Sequence, residues 1–319
     1  MRIGFDLGGT KMLAAVIDTD GTIVVRNKNK TDGIDNDGVY ASILETIRGA
    51  LEKAMVTKTD VTSVGIAVPG PIDVERGIVK HTPNVALEDF PLAPRLADDL
   101  GCPVYLENDV NAGLWGEFIA GAARGYRDVI GIFPGTGIGG GIIIDGVLYR
   151  GKGGRAGEIG HITVQSDGRR CGCGNHGCLE TVASKTAIAR DLAILAMNGQ
   201  SPVLAEAGAT DITLVKSGLI KKALDAGDPG VAEVVDQAAM FLGIGMAAMV
   251  NIFDPELILI GGGLVEKLGA RFVEPAERSM RRRGMPALLE GVRVAEATLG
   301  DDAVIVGAVD LAVTRRPAG

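Results

Sequence analysis

The chain has 319 residues, 46% of them apolar and 23% charged, a composition that excludes wholesale disorder. On a prior of ~150 residues per domain the length fits two domains, each able to bury a core of its own. Its 32 Lys+Arg against 40 Asp+Glu leave a net charge of -8, unlike a dedicated phosphate-backbone binder, so no nucleic-acid partner is expected. Glycine is the outlier at 47 residues, clustered rather than periodic, which points to tight turns or backbone-lined sites.

The opening residues Met1-Arg2-Ile3-Gly4-Phe5-Asp6 contain no apolar core of the length a signal peptide needs. The longest apolar run, 238–250, is 13 residues, short of the ~20 that span a bilayer, so no membrane partner is expected. Four cysteines without an export signal suit a reducing compartment, and a cytoplasmic protein is expected.

In chain order, strands are predicted over 2–7, 11–18 and 22–26, the first two joined by Asp6-Leu7-Gly8-Gly9-Thr10-Lys11. Paired glycines let N–H groups curl around an anion, and Asp6 at a strand end can hold Mg²⁺, directly or through water. A plain hairpin turn accounts for the same glycines. Val39, Ile43, Leu44 and Ile47 space a helix over 38–53, and a strand over 64–68 stops at Pro69-Gly70-Pro71. A helix over 92–100 and a strand over 104–106 lead to Glu107-Asn108-Asp109-Val110-Asn111. There Asp109 reads either as a general base for a hydroxyl nucleophile or as a helix N-cap. The order of elements is an α/β pattern with a mixed sheet.

A shift of 127 residues carries Ile3-Gly4 onto Ile130-Gly131, Gly8 onto Gly135, and Val16-Ile17-Asp18 onto Ile143-Ile144-Asp145. Short meanders resemble one another by chance, but a duplicated unit explains the match better. Asp6 falls on Phe133, so only one turn carries a carboxylate. The passage Gly135-Thr136-Gly137-Ile138-Gly139-Gly140-Gly141 suggests a backbone cradle for phosphates. No helix follows it, so it is not a Rossmann fingerprint, and it lacks the Lys-Ser/Thr ending of a P-loop. Two such turns facing each other across a cleft would clamp a nucleotide, with Gly261-Gly262-Gly263 as a third wall. That triplet follows a long apolar helix, 231–252, and a strand, 257–260; a last helix over 303–314 could pack back on the first domain.

His161, Cys171, Cys173 and Cys178 offer three thiolates and one imidazole, enough for a closed, structural zinc site. A metal-free loop or a disulfide is the competing reading. His176 in the loop, and Cys102 and His81 outside it, are expected to be bystanders. Glu158 and Glu180 flank the loop; fixed carboxylates accept hydroxyl donors and suit a polyol, whereas two ordinary surface glutamates would do nothing of the kind.

Together these blocks, above all Ala156-Gly157-Glu158-Ile159-Gly160-His161 and the Cys171 to Glu180 loop, resemble the ROK family of sugar kinases and repressors. The resemblance implies a duplicated actin/hexokinase (ribonuclease H-like) α/β fold, two lobes with a cleft between them that would close on sugar. The lobes are expected at 1–115, completed by a helix near 302–319, and at 116–301 with the zinc loop 161–180. It further implies that Asp109 is the catalytic base, and that Asn84, Asn108, Glu158, His161 and Glu180 bind sugar with it. Asp6, Gly8, Gly9, Thr10, Lys11, Gly135, Thr136, Gly137, Gly139, Gly262 and Gly263 would hold the nucleotide, and Asp6 would place Mg²⁺. The activity implied is ATP-dependent phosphorylation of a hexose, glucose first. Fructose, N-acetylglucosamine and N-acetylmannosamine kinases share the motifs, as do polyphosphate-using relatives in part. The family's DNA-binding repressors carry a helix-turn-helix before the Asp6 turn, for which no room is expected, since Asp6 is the sixth residue. A homodimer is the default.

Overall fold

A computed structural model describes residues 1–314, so 315–319 of the expected C-terminal element lie outside the described residues. The chain forms two compact units. The first comprises Met1–Arg124, Arg150–Ala156 and the described residues from Asp301 onward; the second comprises Gly125–Tyr149 and Gly157–Gly300.

In the first unit, strands β1 (Arg2–Leu7), β2 (Lys11–Ile17) and β3 (Ile23–Lys30) form an antiparallel meander. Helix α1 (Asn36–Ala54) starts at Asp35, whose carboxylate accepts the Gly38 N–H at 2.8 Å. It returns the chain to β4 (Ser63–Val68), parallel to β1. A small three-stranded sheet follows, with β5 (Ile72–Asp73), β6 (Ile78–His81) and β7 (Glu88–Phe90); these short strands carry too little periodicity to be read from sequence. Then come α2 (Leu92–Leu100), β8 (Val104–Asn108), parallel to β4, and α3 (Asp109–Ala120). The sheet order is β3-β2-β1-β4-β8. The boundary expected between residues 115 and 116 falls inside α3, and the chain passes to the second unit after Arg124.

Alternation along the strands sorts side chains to two faces. Ile3, Phe5, Met12, Ala14 and Val16 pack with Val39, Ile43 and Ile47 of α1. Leu13, Ala15 and Ile17 point the other way and pack on Ile305 and Val309 of the C-terminal helix Asp302–Thr314. That helix belongs to the first unit, on which the sequence suggested it could pack, and Gly65 lies beneath the Ala308 carbonyl where any side chain would collide.

The second unit repeats the plan. Strands β9 (Val129–Pro134), β10 (Ile138–Ile144) and β11 (Val147–Leu148) form a meander, β12 (Leu257–Ile260) lies parallel to β9, and β13 (Arg293–Glu296) parallel to β12. The order β11-β10-β9-β12-β13 matches that of the first sheet strand for strand. The 127-residue shift carries Arg2–Leu7 onto Val129–Pro134 and Lys11–Ile17 onto Ile138–Ile144, bound for bound. The long helix Pro229–Phe253 is apolar enough to cross a membrane by length and composition, but Leu242, Met246 and Val250 join Ile258, Ile260 and Phe272 in this unit's core.

Candidate active site

Three parallel strands of the first unit present their carboxyl ends at one edge. Asp6 on β1 pairs with Ala67 on β4, and Val68 at the end of β4 pairs with Asn108 on β8. In open α/β sheets ligands bind outside such ends. The N-cap of α3 is Asn108, not Asp109: its Oδ1 accepts the N–H groups of Val110 and Asn111 at 3.0 and 3.2 Å. Asp109 is the first helical residue, and its Oδ1 accepts the adjacent Val110 N–H at 2.9 Å. The capping task that competed for Asp109 thus falls to its neighbour.

Burial raises the Asp109 carboxyl above its usual range, opposed by the Val110 N–H and by Asn108. Asp6 is pushed up to about 7 by burial, then by the charges of Asp109 and Asp301, with Lys11 pulling the other way. Asp301 gives no motif signal in the sequence. It stands just before the C-terminal helix and accepts from Lys11 Nζ at 3.2 Å and Lys28 Nζ at 3.0 Å.

The two glycine turns are built alike. Gly8 donates its N–H to Lys11 O at 3.0 Å, and Gly135 donates to Gly137 O at 2.8 Å, so each spends one amide on the turn itself. Carbonyls are held from behind. Thr31 donates N–H to Thr10 O at 3.1 Å and its hydroxyl to Gly8 O at 2.5 Å. In the second unit the brace is the start of helix α5 (Lys185–Met197), which follows the short helix α4 (Glu180–Ala183). Lys185 N–H reaches Gly135 O at 2.9 Å, and the Thr186 hydroxyl reaches Thr136 O at 2.6 Å. The N–H groups of Gly9, Thr10 and Thr136, outside the strands, donate to no acceptor among the described residues. Amides fixed by bonds on their carbonyl side and open on the other form an anion nest. Asn84 lies against Gly9: a Cβ there would come within 2.8 Å of its own.

The seven-residue glycine passage is therefore shorter as a turn than its composition suggests. Only Gly135, Thr136 and Gly137 form it; Gly139, Gly140 and Gly141 are ladder residues of β10, opposite Phe133, Ile132 and Gly131. Gly262 and Gly263 follow β12 and lie at the same sheet end, with Gly262 close to Pro134 O.

In the second unit the ligand atoms of His161, Cys171, Cys173 and Cys178 all lie within 4.8 Å of one another. His161 Nδ1 is 3.6 Å from Cys171 Sγ, and the Cys173 and Cys178 sulfurs are 3.8 Å apart. Tetrahedral zinc, with bonds of about 2.3 Å to sulfur and about 2.0 Å to nitrogen, sets edges of roughly 3.8 and 3.6 Å. The donor set and its spacing fit that ion. Burial pushes the Cys178 thiol up to about 12 and raises Cys171, whereas the Asn175 N–H lowers Cys173. His176 stays outside the cluster, exposed, with its ring 3.1 Å from Gly168 O.

The loop brings Glu158, His161 and Glu180 together. With Nδ1 facing the sulfurs, His161 turns Nε2 toward Glu158 Oε2 at 3.8 Å. Glu180 Oε2 accepts the Ile138 N–H at 2.9 Å, and its Oε1 is 3.7 Å from Cys171 Sγ. Its carboxylate fills the space that a Cβ on Gly137 would occupy, so any side chain there would push Glu180 aside. One glutamate thus joins the thiol loop to the glycine turn.

Two α/β units with one strand order, each with a glycine turn after its first strand, define the actin/hexokinase-like fold. The ROK family model matches residues 2–315, and the chain belongs to that family. The glucokinase of Halalkalibacterium halodurans is 37% identical over 318 residues, covering 96% of this chain and 92% of that protein. The crystal structure of a ROK family glucokinase from Streptomyces griseus, in complex with glucose and AMPPNP, aligns with a TM-score of 0.83 at 36% identity, covering 98% and 99% of the two chains. A xylose repressor of Caldicellulosiruptor bescii is 31% identical over 98% of this chain and 78% of the repressor.

Proposed function

We infer that the chain transfers the terminal phosphoryl group of ATP to a hydroxyl of glucose. It is an ATP-dependent sugar kinase, as its likeness over nearly the whole length to glucokinases and to a glucose- and AMPPNP-bound relative supports. The observation that carries the mechanism is Asp109: a carboxylate at a strand end, relieved of capping by Asn108 and raised by burial toward the range of a working base. Asp109 accepts the hydroxyl proton of the sugar as the oxygen attacks. Phosphoryl transfer needs little else from side chains beyond positioning and charge balance.

Asn84, Asn108, Glu158, His161 and Glu180 hold sugar hydroxyls, with His161 donating from Nε2 while Nδ1 serves the metal. Asp6, Lys11, the amides of the Gly8 to Thr10 and Gly135 to Gly137 turns, and Gly139, Gly262 and Gly263 receive the nucleotide. Asp6 would hold Mg²⁺, which neutralises charge on the triphosphate when bound. His161, Cys171, Cys173 and Cys178 would hold zinc as a closed structural site. The enzyme works in the cytoplasm as a homodimer, a state that light scattering tests directly.

Coupled ADP release with Mg-ATP across hexoses, hexosamines and N-acetylhexosamines tests the reading. Glucose should give the highest kcat/KM, and Asp109→Asn should lower kcat by about 10³-fold or more while glucose binding stays measurable. Near-full turnover in that variant removes Asp109 from the mechanism. Preference for another sugar revises the substrate, and sugar binding without turnover in wild type returns the chain to the repressor side of its family.

A further inference from the structure

Glu107 is 3% exposed and Arg150 20% exposed, and they form the most buried ion pair among those described. Arg150 Nε and Nη2 both donate to Glu107 Oε2, at 2.8 and 2.7 Å. The other oxygen, Oε1, accepts the Asn108 backbone N–H at 3.1 Å and Asn111 Nδ2 at 3.3 Å. Asn108 in turn caps α3 through Oδ1. The guanidinium thus holds the Glu107 carboxylate, the carboxylate holds the Asn108 backbone N–H, and the Asn108 side chain caps the helix that Asp109 begins. Arg150 opens the Arg150–Ala156 segment, by which the sequence returns to the first unit 43 positions after Glu107.

A buried carboxylate without its cation is strongly disfavoured, so this pair fixes where β8 stops and where α3 begins. That junction decides the direction of the Asp109 side chain. A shift of about 1 Å at a reacting group can cost about 10²-fold in rate. The sequence gives no motif for an arginine so far along the chain.

We propose that Glu107 and Arg150 are positioning residues for Asp109, setting the orientation of the base at the β8–α3 junction. The inference rests on the kinase reading above. Wild type is therefore assayed first for glucose-dependent ADP release, and its absence there defeats that reading rather than this one. Arg150→Met should lower kcat about 10- to 100-fold while the KM for ATP stays within about twofold and the protein remains folded. Arg150→Lys keeps the charge but gives up the planar fork, so its kcat should fall between the two, about two- to fivefold below wild type. Should the Met variant fail to fold, Glu107→Gln/Arg150→Met removes both buried charges and is measured in its place. Wild-type kcat in any folded variant of Arg150, or a raised ATP KM at unchanged kcat, overturns the assignment.

Discussion

Asp6 and Asp109 are the same residue type at the ends of β1 and β8, with β4 between them, yet their surroundings differ. Asp109 has N–H groups to offset its burial; Asp6 has two further carboxylates, Asp109 and Asp301, that deepen its cost, with Lys11 opposing them. An acid whose folded pKa is raised binds its proton more tightly in the native state. Its contribution to stability is therefore undiminished below the unfolded value of 3.8 and is lost as pH climbs through about 7. Asp6→Asn should be more stable than wild type at pH 8 by roughly 1–2 kcal/mol after solvent screening, and equal to it near pH 4. Urea unfolding without Mg²⁺ at the two pH values measures this, and a gap independent of pH contradicts it. The carboxylates were visible in the sequence as an Asp before two glycines and an Asp after an Asn. Which of Asn108 and Asp109 would cap was not, because both residue types favour that position and only backbone geometry chooses. Arg150 and Asp301 gave no signal at all, since ion pairs between distant positions leave no local pattern.

The thiol loop and the C-terminal helix are the elements on which most depends. The loop has little regular structure of its own, so removing the proposed zinc should lower Tm by about 5–10 °C and raise the KM for glucose more than that for ATP. Scanning calorimetry and kinetics before and after chelation, with Cys171→Ser as the genetic counterpart, check both changes. Equal effects on the two substrates would separate the loop from the sugar contacts proposed for Glu158, His161 and Glu180. The helix Asp302–Thr314 is held by close packing rather than charge: Ile305 is wholly buried between Leu13, Ala15 and Ile17. Ile305→Ala should cost about 2–4 kcal/mol in urea unfolding, and a loss under ~1 kcal/mol would mean that the helix is dispensable to the first core. Element type was legible wherever apolar spacing was regular, as in α1. The second glycine passage misled in extent because composition cannot separate a glycine needed for a turn from one needed where strands are crowded.

At the scale of the whole chain, duplication was the most legible feature and the most useful. Matching glycines and apolar positions at one fixed offset foretold two sheets of one order, because a repeated pattern of alternation can fold only into a repeated pattern of pairing. The closing helix was legible as a helix by its spacing, and its suggested place on the first unit has its reason in the bare face of β2, where Leu13, Ala15 and Ile17 need a cover. That dependence has a temporal side. The ribosome finishes the first unit's sheet by Asn108 but does not supply its covering helix until residues 302–314, with nearly all of the second unit made between. At ~5–20 residues per second that is an interval of roughly 10–40 s during which one apolar face waits uncovered. The second unit, whose sheet needs nothing from beyond residue 300, is free to fold within that interval, so the part of the protein begun first is the part completed last.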